Sequence, residues 1–513
     1  MTPGTQRFAP APGSVVLGVD VGTSSTKGVL VAPGGEVLAT AVREHQVTRP
    51  APGHVEMDAE IWWDEFLGIA RELGAAALAR GSRIAAIGVS GMGPCVLLVD
   101  EDDAPVRPAI LYGVDTRAET QIRALDAQLG PEEILRRSGC SLTAQAAGPK
   151  ILWVAQREPE GYARARRLLM PSSFLVRRLT GAYVLDHASA AQVAPLYDIT
   201  ARDWHAPWAE AAAPGLELPR LLWADEIAGH VLPGVAAAIP GVPAGTPVLA
   251  GTIDAWAEAV SGGVRAPGDL MLMYGTTTFL LAMTPQPVPS RHLFPTPGTT
   301  EGTSMLTGGM AASGAITTWL RDLLAAPDVG ELVADAALSP PGAHGLLVLP
   351  YFSGERSPLA DPEARGVVAG LTLSHGRGDL YRAVLEAAAY GVRHHLEELR
   401  AQGCAISRTV ALGGGTRTGL WPQIVADVTG LAQELPRVTI GASYGDAMLA
   451  AARVLGADAS SWNPVQRRCE PDPATRERYD ALYGLYRELY PATRSISHAL
   501  ARMQEEDSPA PRA

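Results

Sequence analysis

Gly18-Val-Asp-Val-Gly-Thr-Ser-Ser-Thr-Lys27 is the stretch on which the reading of this 513-residue chain turns. Residues 15–20 form a β-rich run that ends on a carboxylate. Gly22 and three small hydroxyl residues then make a tight turn, and residues 26–31 return as a second strand. Consecutive N–H groups in such a turn form a concave anion site, to which Thr23, Ser24 and Ser25 add hydroxyl donors. Lys27 offers phosphate a point cation, and Asp20 offers magnesium a hard oxygen, directly or through water. The alternative for this segment alone is an ordinary hairpin with a polar turn. The chain has no GxxxxGK[ST] and no GxGxxG opening a βαβ unit, so a nucleotide site here is neither a P-loop nor a Rossmann turn.

Outward from this hairpin, Pro33-Gly-Gly35 is a second turn and residues 37–42 a third strand. Residues 58–80 carry apolar side chains at helical spacing, and 84–89 and 96–99 read as strands. Three antiparallel strands, a helix and a strand open an α/β domain with a mixed sheet. The pattern echoes in the middle of the chain. There, strand 269–274, the hydroxyl turn Gly275-Thr-Thr-Thr278 and strand 279–283 follow a short strand at 245–251 and an Ala-rich helical segment. Residues 380–402 and 420–431 read as helices, and Leu412-Gly-Gly-Gly415 is a strand running into a glycine turn. Trp421 just beyond is suited to line a purine pocket. Three glycine or hydroxyl turns spread over both halves predict one nucleotide held in an interdomain cleft.

Composition narrows the class. The chain is 47% hydrophobic with a net charge of −12, which argues against wholesale disorder and against a broad nucleic-acid-binding surface. No run approaches the apolar length of a membrane span. Cys95, Cys140, Cys404 and Cys469 lie far apart, fit neither a disulfide framework nor a zinc site, and point to a reduced cytoplasm. Residues 1–14 read as a lead-in rather than a secretory signal. Only Lys27 and Lys150 are lysines among 42 basic residues, so each lysine is a position to inspect.

Further motifs stand in order along the chain: Gly53-His-Val-Glu56, Trp62-Trp63, Tyr112-Gly-Val-Asp-Thr-Arg117 and Leu179-Thr-Gly-Ala-Tyr-Val184. Beyond them come Pro350-Tyr-Phe-Ser-Gly-Glu-Arg-Ser-Pro358, Gly413-Gly-Gly-Thr-Arg-Thr-Gly-Leu-Trp421 and Tyr444-Gly-Asp-Ala-Met-Leu-Ala450. In this collinear set, over residues 15–500, the chain resembles the FGGY carbohydrate kinases of the actin-like ATPase superfamily, and within them the xylulokinase branch. The resemblance implies two ribonuclease-H-like α/β domains with an interdomain cleft. They would be an N-terminal sugar-binding domain over 15–250 and a C-terminal nucleotide-binding domain over 251–503. The lead-in (1–14) and a tail (504–513) are expected to be disordered.

The resemblance also implies chemistry: transfer of the ATP γ-phosphate to a hydroxyl of a ketopentose or related polyol, D-xylulose first. Asp254 matches the family's general base. Asp20 matches its magnesium and phosphate aspartate, Gly22, Thr23, Ser24 and Lys27 its first phosphate turn, and Gly275 and Thr276 its second. Gly314, Gly414 and Gly415 match positions around the nucleotide. On the sugar side the candidates are Met92, Gly93, Asp115, Arg117, Gln145 and Asp254 itself. Gly93 stands where typical xylulokinases carry the histidine of Gln-Met-His-Gly, and Tyr112 replaces the tryptophan before Asp-x-Arg. A hydroxyl left unpaired by that loss costs about 1–3 kcal/mol, enough to change the preferred sugar. Ribulose, erythritol, gluconate and glycerol are the alternative acceptors, and a non-phosphorylating nucleotide-binding regulator is the alternative class. Homodimers are common in the family.

Read without the resemblance, Asp254 could cap the helix that follows it, and Asp115 with Arg117 could be a surface ion pair. Glu355-Arg356 fits a loop tie as well as a ligand contact. His394-His395 and the scattered tryptophans read as a solvated helix face and core packing.

Overall fold

The computed structural model describes residues 13–326 and 328–506, and among them two seven-stranded sheets dominate, beside several two-stranded ribbons. In the first, Ser14–Val21, Ser25–Val31 and Val37–Glu44 form the expected antiparallel meander, and Arg83–Gly91 runs parallel to Ser14–Val21. Pro247–Leu249 and Ile227–His230 extend the sheet, and Thr252–Ile253 pairs with the end of Arg83–Gly91. The helix Ala59–Ala79 starts where Asp58 accepts the Glu60 N–H, and it buries Trp62, Phe66, Ile69 and Leu73. Each such side chain contributes about 1.5–3 kcal/mol by leaving water. Leu97–Val99 is a strand, but it pairs with Arg167–Leu169 in a separate two-stranded ribbon.

The second sheet repeats the plan. Asp269–Tyr274, Thr278–Thr284 and Ser304–Gly309 are antiparallel neighbours, and Arg408–Leu412 runs parallel to the first of them. The helices Arg377–Ala401 and Leu420–Thr429 pack in its core.

Two short helices lock the halves together by exchange. Asp254–Ser261 follows the last strand of the first sheet, yet Trp256 and Ala259 join a core with Met271, Leu281 and Leu412 of the second. Conversely, Ala442–Ala450 lays Tyr444, Ala447 and Met448 on Val16, Val29 and Ala86 of the first sheet. Three glycines permit this approach. A Cβ on Gly18 would lie 1.9 Å from Ser443 O, one on Gly88 2.3 Å from Asp446 O, and one on Gly445 1.9 Å from Ala257 O. Gly18 and Gly88 are cross-strand partners, so they clear one continuous patch of sheet for the helix.

Residues 1–12 and 507–513 lie outside the described residues, so the expected lead-in and tail are visible only at their inner edges. Ser14 already belongs to the first strand, and the helix Arg476–Glu506 runs through 504–506. His394 and His395 do not form a solvated face: both are buried, because Arg377–Ala401 is covered along most of its length.

Candidate active site

The exchange of helices brings four carboxylates to one place. Asp20, at the end of its strand, is the register partner of Ser90 on one side and of Lys27 on the other. Ser90 Oγ lies 3.1 Å from Asp20 Oδ1 and 2.7 Å from Asp446 Oδ2, on the exchanged helix. A hydroxyl donates one proton, so the second of these contacts needs a proton on a carboxyl. The titration shifts agree. Burial and the charge of Asp254 push Asp20 up to about 8, and burial with the Asp20 charge raises Asp446 well above the carboxylate range.

Asp254 is the first residue of its helix. Its Oδ1 accepts the Ala255 N–H at 2.7 Å, so the helix-start contact is present, while Oδ2 has no hydrogen-bond partner among the described residues. Burial pushes it up to about 6. The segment ahead of it is pinned by pairing of Thr252 and Ile253 with Ser90 and Gly91, and by a 2.9 Å bond from Thr252 Oγ1 to Asp186. Glu258 follows one helical turn later, and burial with the Asp254 charge pushes it up to about 7. Lys27 opposes this negative charge, pulling Asp20, Asp254 and Glu258 downward. Sequence reasoning found Asp20, Lys27 and Asp254. It missed Glu258, whose i+4 spacing from Asp254 was a usable signal, and Ser90 and Asp446, which meet only through the exchange.

The hydroxyl and glycine turns differ in how their backbone groups are satisfied. At the first, Gly22 N–H bonds Ser25 O, His45 holds Gly22 O, and the N–H groups of Thr23 and Ser24 have no partner among the described residues. At the second, Thr276 is exposed, and the carbonyls of Gly275 and Thr276 accept N–H groups from Gly314, Ser313 and Ala315 at the start of the helix Gly314–Leu323. A Cβ on Gly314 would lie 2.3 Å from Gly275 O, so that glycine serves close contact between turn and helix. At the third, Gly414 has nothing within 4 Å of a would-be Cβ, whereas Gly415 rests on Trp421. Trp421 is only 6% exposed and meets Tyr274 edge-on, so it backs the glycine turn from the core side.

On the sugar side the candidates separate. Gln145 ties two loops together: its Oε1 accepts the Gly113 N–H at 3.1 Å and its Nε2 reaches Gly93 O at 3.4 Å. Met92 is buried in the first core. A Cβ on Gly93 would lie 2.9 Å from Ile253 Cγ1, so the Ile253 side chain occupies the room of a larger residue. Asp115 and Arg117 are not a surface pair. Asp115 takes the Val55 N–H and a bidentate contact from Arg117, which also bonds Glu56 and lies over Trp153. That network ties the Gly53-His-Val-Glu56 motif to the Tyr112 loop. Lys150 reinforces it, with Nζ donating to the carbonyls of Leu111 and Tyr112, and burial pulls its pKa down to about 8. Tyr112 itself meets Thr23, hydroxyl to hydroxyl, at 3.0 Å.

Residues 15–261 match the family described as "FGGY family of carbohydrate kinases, N-terminal domain", and residues 270–454 match its C-terminal counterpart. The chain is 32% identical over 442 residues to a xylulose kinase of Escherichia coli K12, covering 85% of this chain and 89% of that protein. It is equally 32% identical to a glycerol kinase of Gloeobacter violaceus, over 86% of this chain and 89% of that one. The crystal structure of a xylulose kinase from Rhodospirillum rubrum superposes with a TM-score of 0.88 at 33% identity, covering 94% of this chain and all of that one.

Proposed function

Because this chain belongs to the FGGY family of carbohydrate kinases, we propose that its cleft transfers the ATP γ-phosphate to a primary hydroxyl of D-xylulose or a closely related ketopentose. The observation that carries this reading is the meeting of Asp254, one of whose oxygens has no partner among the described residues, with the Asp20–Ser90–Asp446 bridge beside the first hydroxyl turn. In the transfer, the sugar oxygen bonds to the γ-phosphorus, the bond to the β–γ bridging oxygen breaks, and ADP leaves. The proton of the attacking hydroxyl goes to Asp254, since an alcohol is a poor nucleophile until its proton has an acceptor. A carboxyl held at about 6 is ionised at neutral pH and able to accept it.

The N–H groups of Thr23 and Ser24, without partners among the described residues, and the exposed Thr276 of the second sheet support phosphate contacts from both domains. Gly414 and Gly415 support close passage of the nucleotide over the second sheet. Gln145 and the Asp115–Arg117 network hold the acceptor-side loops in place. Closure of the two halves excludes water and limits futile hydrolysis.

A magnesium ion fits this donor set. Among the described residues no three His, Cys, Asp or Glu side chains form a cage, and Mg²⁺ uses one or two carboxylates together with waters and substrate phosphates. Asp20 is the residue to hold it, with Asp446 behind. When bound, it supplies neutralisation of charge on the β- and γ-phosphate oxygens. The four cysteines are free and buried, which supports a reduced, cytoplasmic home, and among the described residues no helix is long and apolar enough to cross a membrane.

Lys27→Ala is expected to raise the ATP dissociation constant about tenfold or more, the scale of one charge-assisted contact. Calorimetric titration with ATP checks this, and an unchanged affinity would remove Lys27 from the phosphate site. The function itself is tested by ADP release with Mg-ATP against D-xylulose, D- and L-ribulose, L-xylulose, erythritol, D-arabitol, glycerol and gluconate. D-Xylulose is expected to respond most strongly. The similarity to glycerol kinases and the missing side chain at Gly93 make another polyol the second reading, and a stronger response from one would establish it. No response from any acceptor sinks the kinase reading.

A further inference from the structure

We propose that Arg356 is the cation by which the second half of the molecule reaches the phosphoryl group in flight. The proposal rests on the sugar-kinase reading and deepens it. The backbone around Arg356 is held on both sides. Glu355 Oε1 accepts the N–H groups of Ala311 and Arg356, each at 2.8 Å. Ser357 Oγ accepts the Gly309 N–H at 2.7 Å and lies 2.9 Å from His395 Nε2. The other ring nitrogen of His395 faces Gly391 O at 2.8 Å, so it carries the proton and Nε2 accepts from the serine.

The side chain is aimed by one contact, Arg356 Nη2 donating to Met310 O at 2.7 Å. The remaining guanidinium N–H groups have no acceptor among the described residues, and no carboxylate pairs with them. Arg356 is exposed to solvent, yet surrounding protein desolvates it enough to lower its pKa. Exposure together with desolvation marks a side chain that reaches water from within the protein surface rather than from its rim. The neighbouring Glu355, pushed up to about 8 by burial, leaves the guanidinium charge uncancelled at neutral pH.

Met310 N donates to Thr278 O, which ties the guanidinium to the second hydroxyl turn. From the opposite domain, Tyr112 is acted on by the charges of both Arg356 and Asp254, while its hydroxyl meets Thr23 of the first turn. Arg356 therefore lies beside the second hydroxyl turn by hydrogen bonding, and near enough to Tyr112 of the other half for their charges to interact. Phosphoryl transfer spreads negative charge over three equatorial oxygens, and a planar guanidinium fork matches two of them. The group makes and breaks no bond; it neutralises charge where charge develops.

The test uses the full chain, Arg356→Ala and Arg356→Lys, with whichever panel acceptor the wild type phosphorylates. For Arg356→Ala, kcat is expected to fall about 10³-fold, with KM for ATP and acceptor changing by less than about threefold. Turnover of that variant should recover at least about tenfold, either in Arg356→Lys or on adding guanidinium ion below denaturing concentration. A merely structural arginine would instead lower the melting temperature and respond to neither. Wild-type-like kcat in Arg356→Ala, a loss confined to KM, or a loss without either rescue overturns the proposal and leaves the kinase reading intact. A wild type inactive on every acceptor overturns both.

Discussion

Asp254→Asn is expected to cut sugar-dependent ADP release by at least about 10³-fold while leaving ATP affinity unchanged, within the range that positioned general bases contribute. The substitution is nearly isosteric. Its amide oxygen can still take the Ala255 N–H that Oδ1 takes now, so the helix start and the crossing behind it survive. What disappears is the acceptor at Oδ2. The wild-type pH profile offers a second readout. Burial raises the folded-state pKa of Asp254 to about 6, and only the ionised form accepts a proton. Activity is therefore present above about 6 and lost as pH falls through it, with kcat/KM approaching a tenfold drop per unit. The residual activity of the Asn variant should lack that acid limb. Turnover above a few per cent of wild type, or a limb that persists in the variant, would sink the assignment of Asp254 as base.

Gly445→Ala tests the scaffold rather than the chemistry. Its Cβ would stand 1.9 Å from Ala257 O, a backbone atom, so no side-chain rotation relieves the clash and one helix has to move by more than an ångström. Overpacking of this kind costs about 1–3 kcal/mol, and displacement of catalytic groups by about 1 Å costs on the order of 10²-fold in rate. Both effects are expected here, because Asp446 is the next residue on one helix while Asp254 and Glu258 lie on the other. The control is Gly34→Ala, where nothing lies within 4 Å and melting temperature and kcat should be unchanged. If Gly445→Ala matched Gly34→Ala in both measurements, the crossing would not set the geometry of the site.

The contrast between these residues explains what could be read before the structure. The hairpin at 18–27 was legible because turn, alternation and register are local, and the pairing of Asp20 with Lys27 follows from them. The middle echo and the glycine turn at 413–415 were legible for the same reason. Asp446 was not, since its meeting with Ser90 depends on single glycines at 18, 88 and 445 that look unremarkable in their own segments. Asp115 and Arg117 looked like a pair available to solvent or sugar, because their burial comes from Glu56 and Trp153, which are distant in sequence. Trp421 beside a glycine turn suggested the lining of a purine pocket, whereas its edge-on packing against Tyr274 depends on a strand distant in sequence.

The exchanged helices also bear on how the protein is made. The apolar face of the first sheet, with Val16, Val29 and Ala86, is covered by Ala442–Ala450, roughly 420 residues further along the chain than the strand it lies on. Such a contact closes late and slowly, because most of the polypeptide has to be ordered first. During translation the N-terminal half leaves the ribosome with a greasy surface that its own residues do not shield. It waits there for almost the whole chain, which makes this interval the point at which nascent molecules are most open to aggregation and most in need of a holdase.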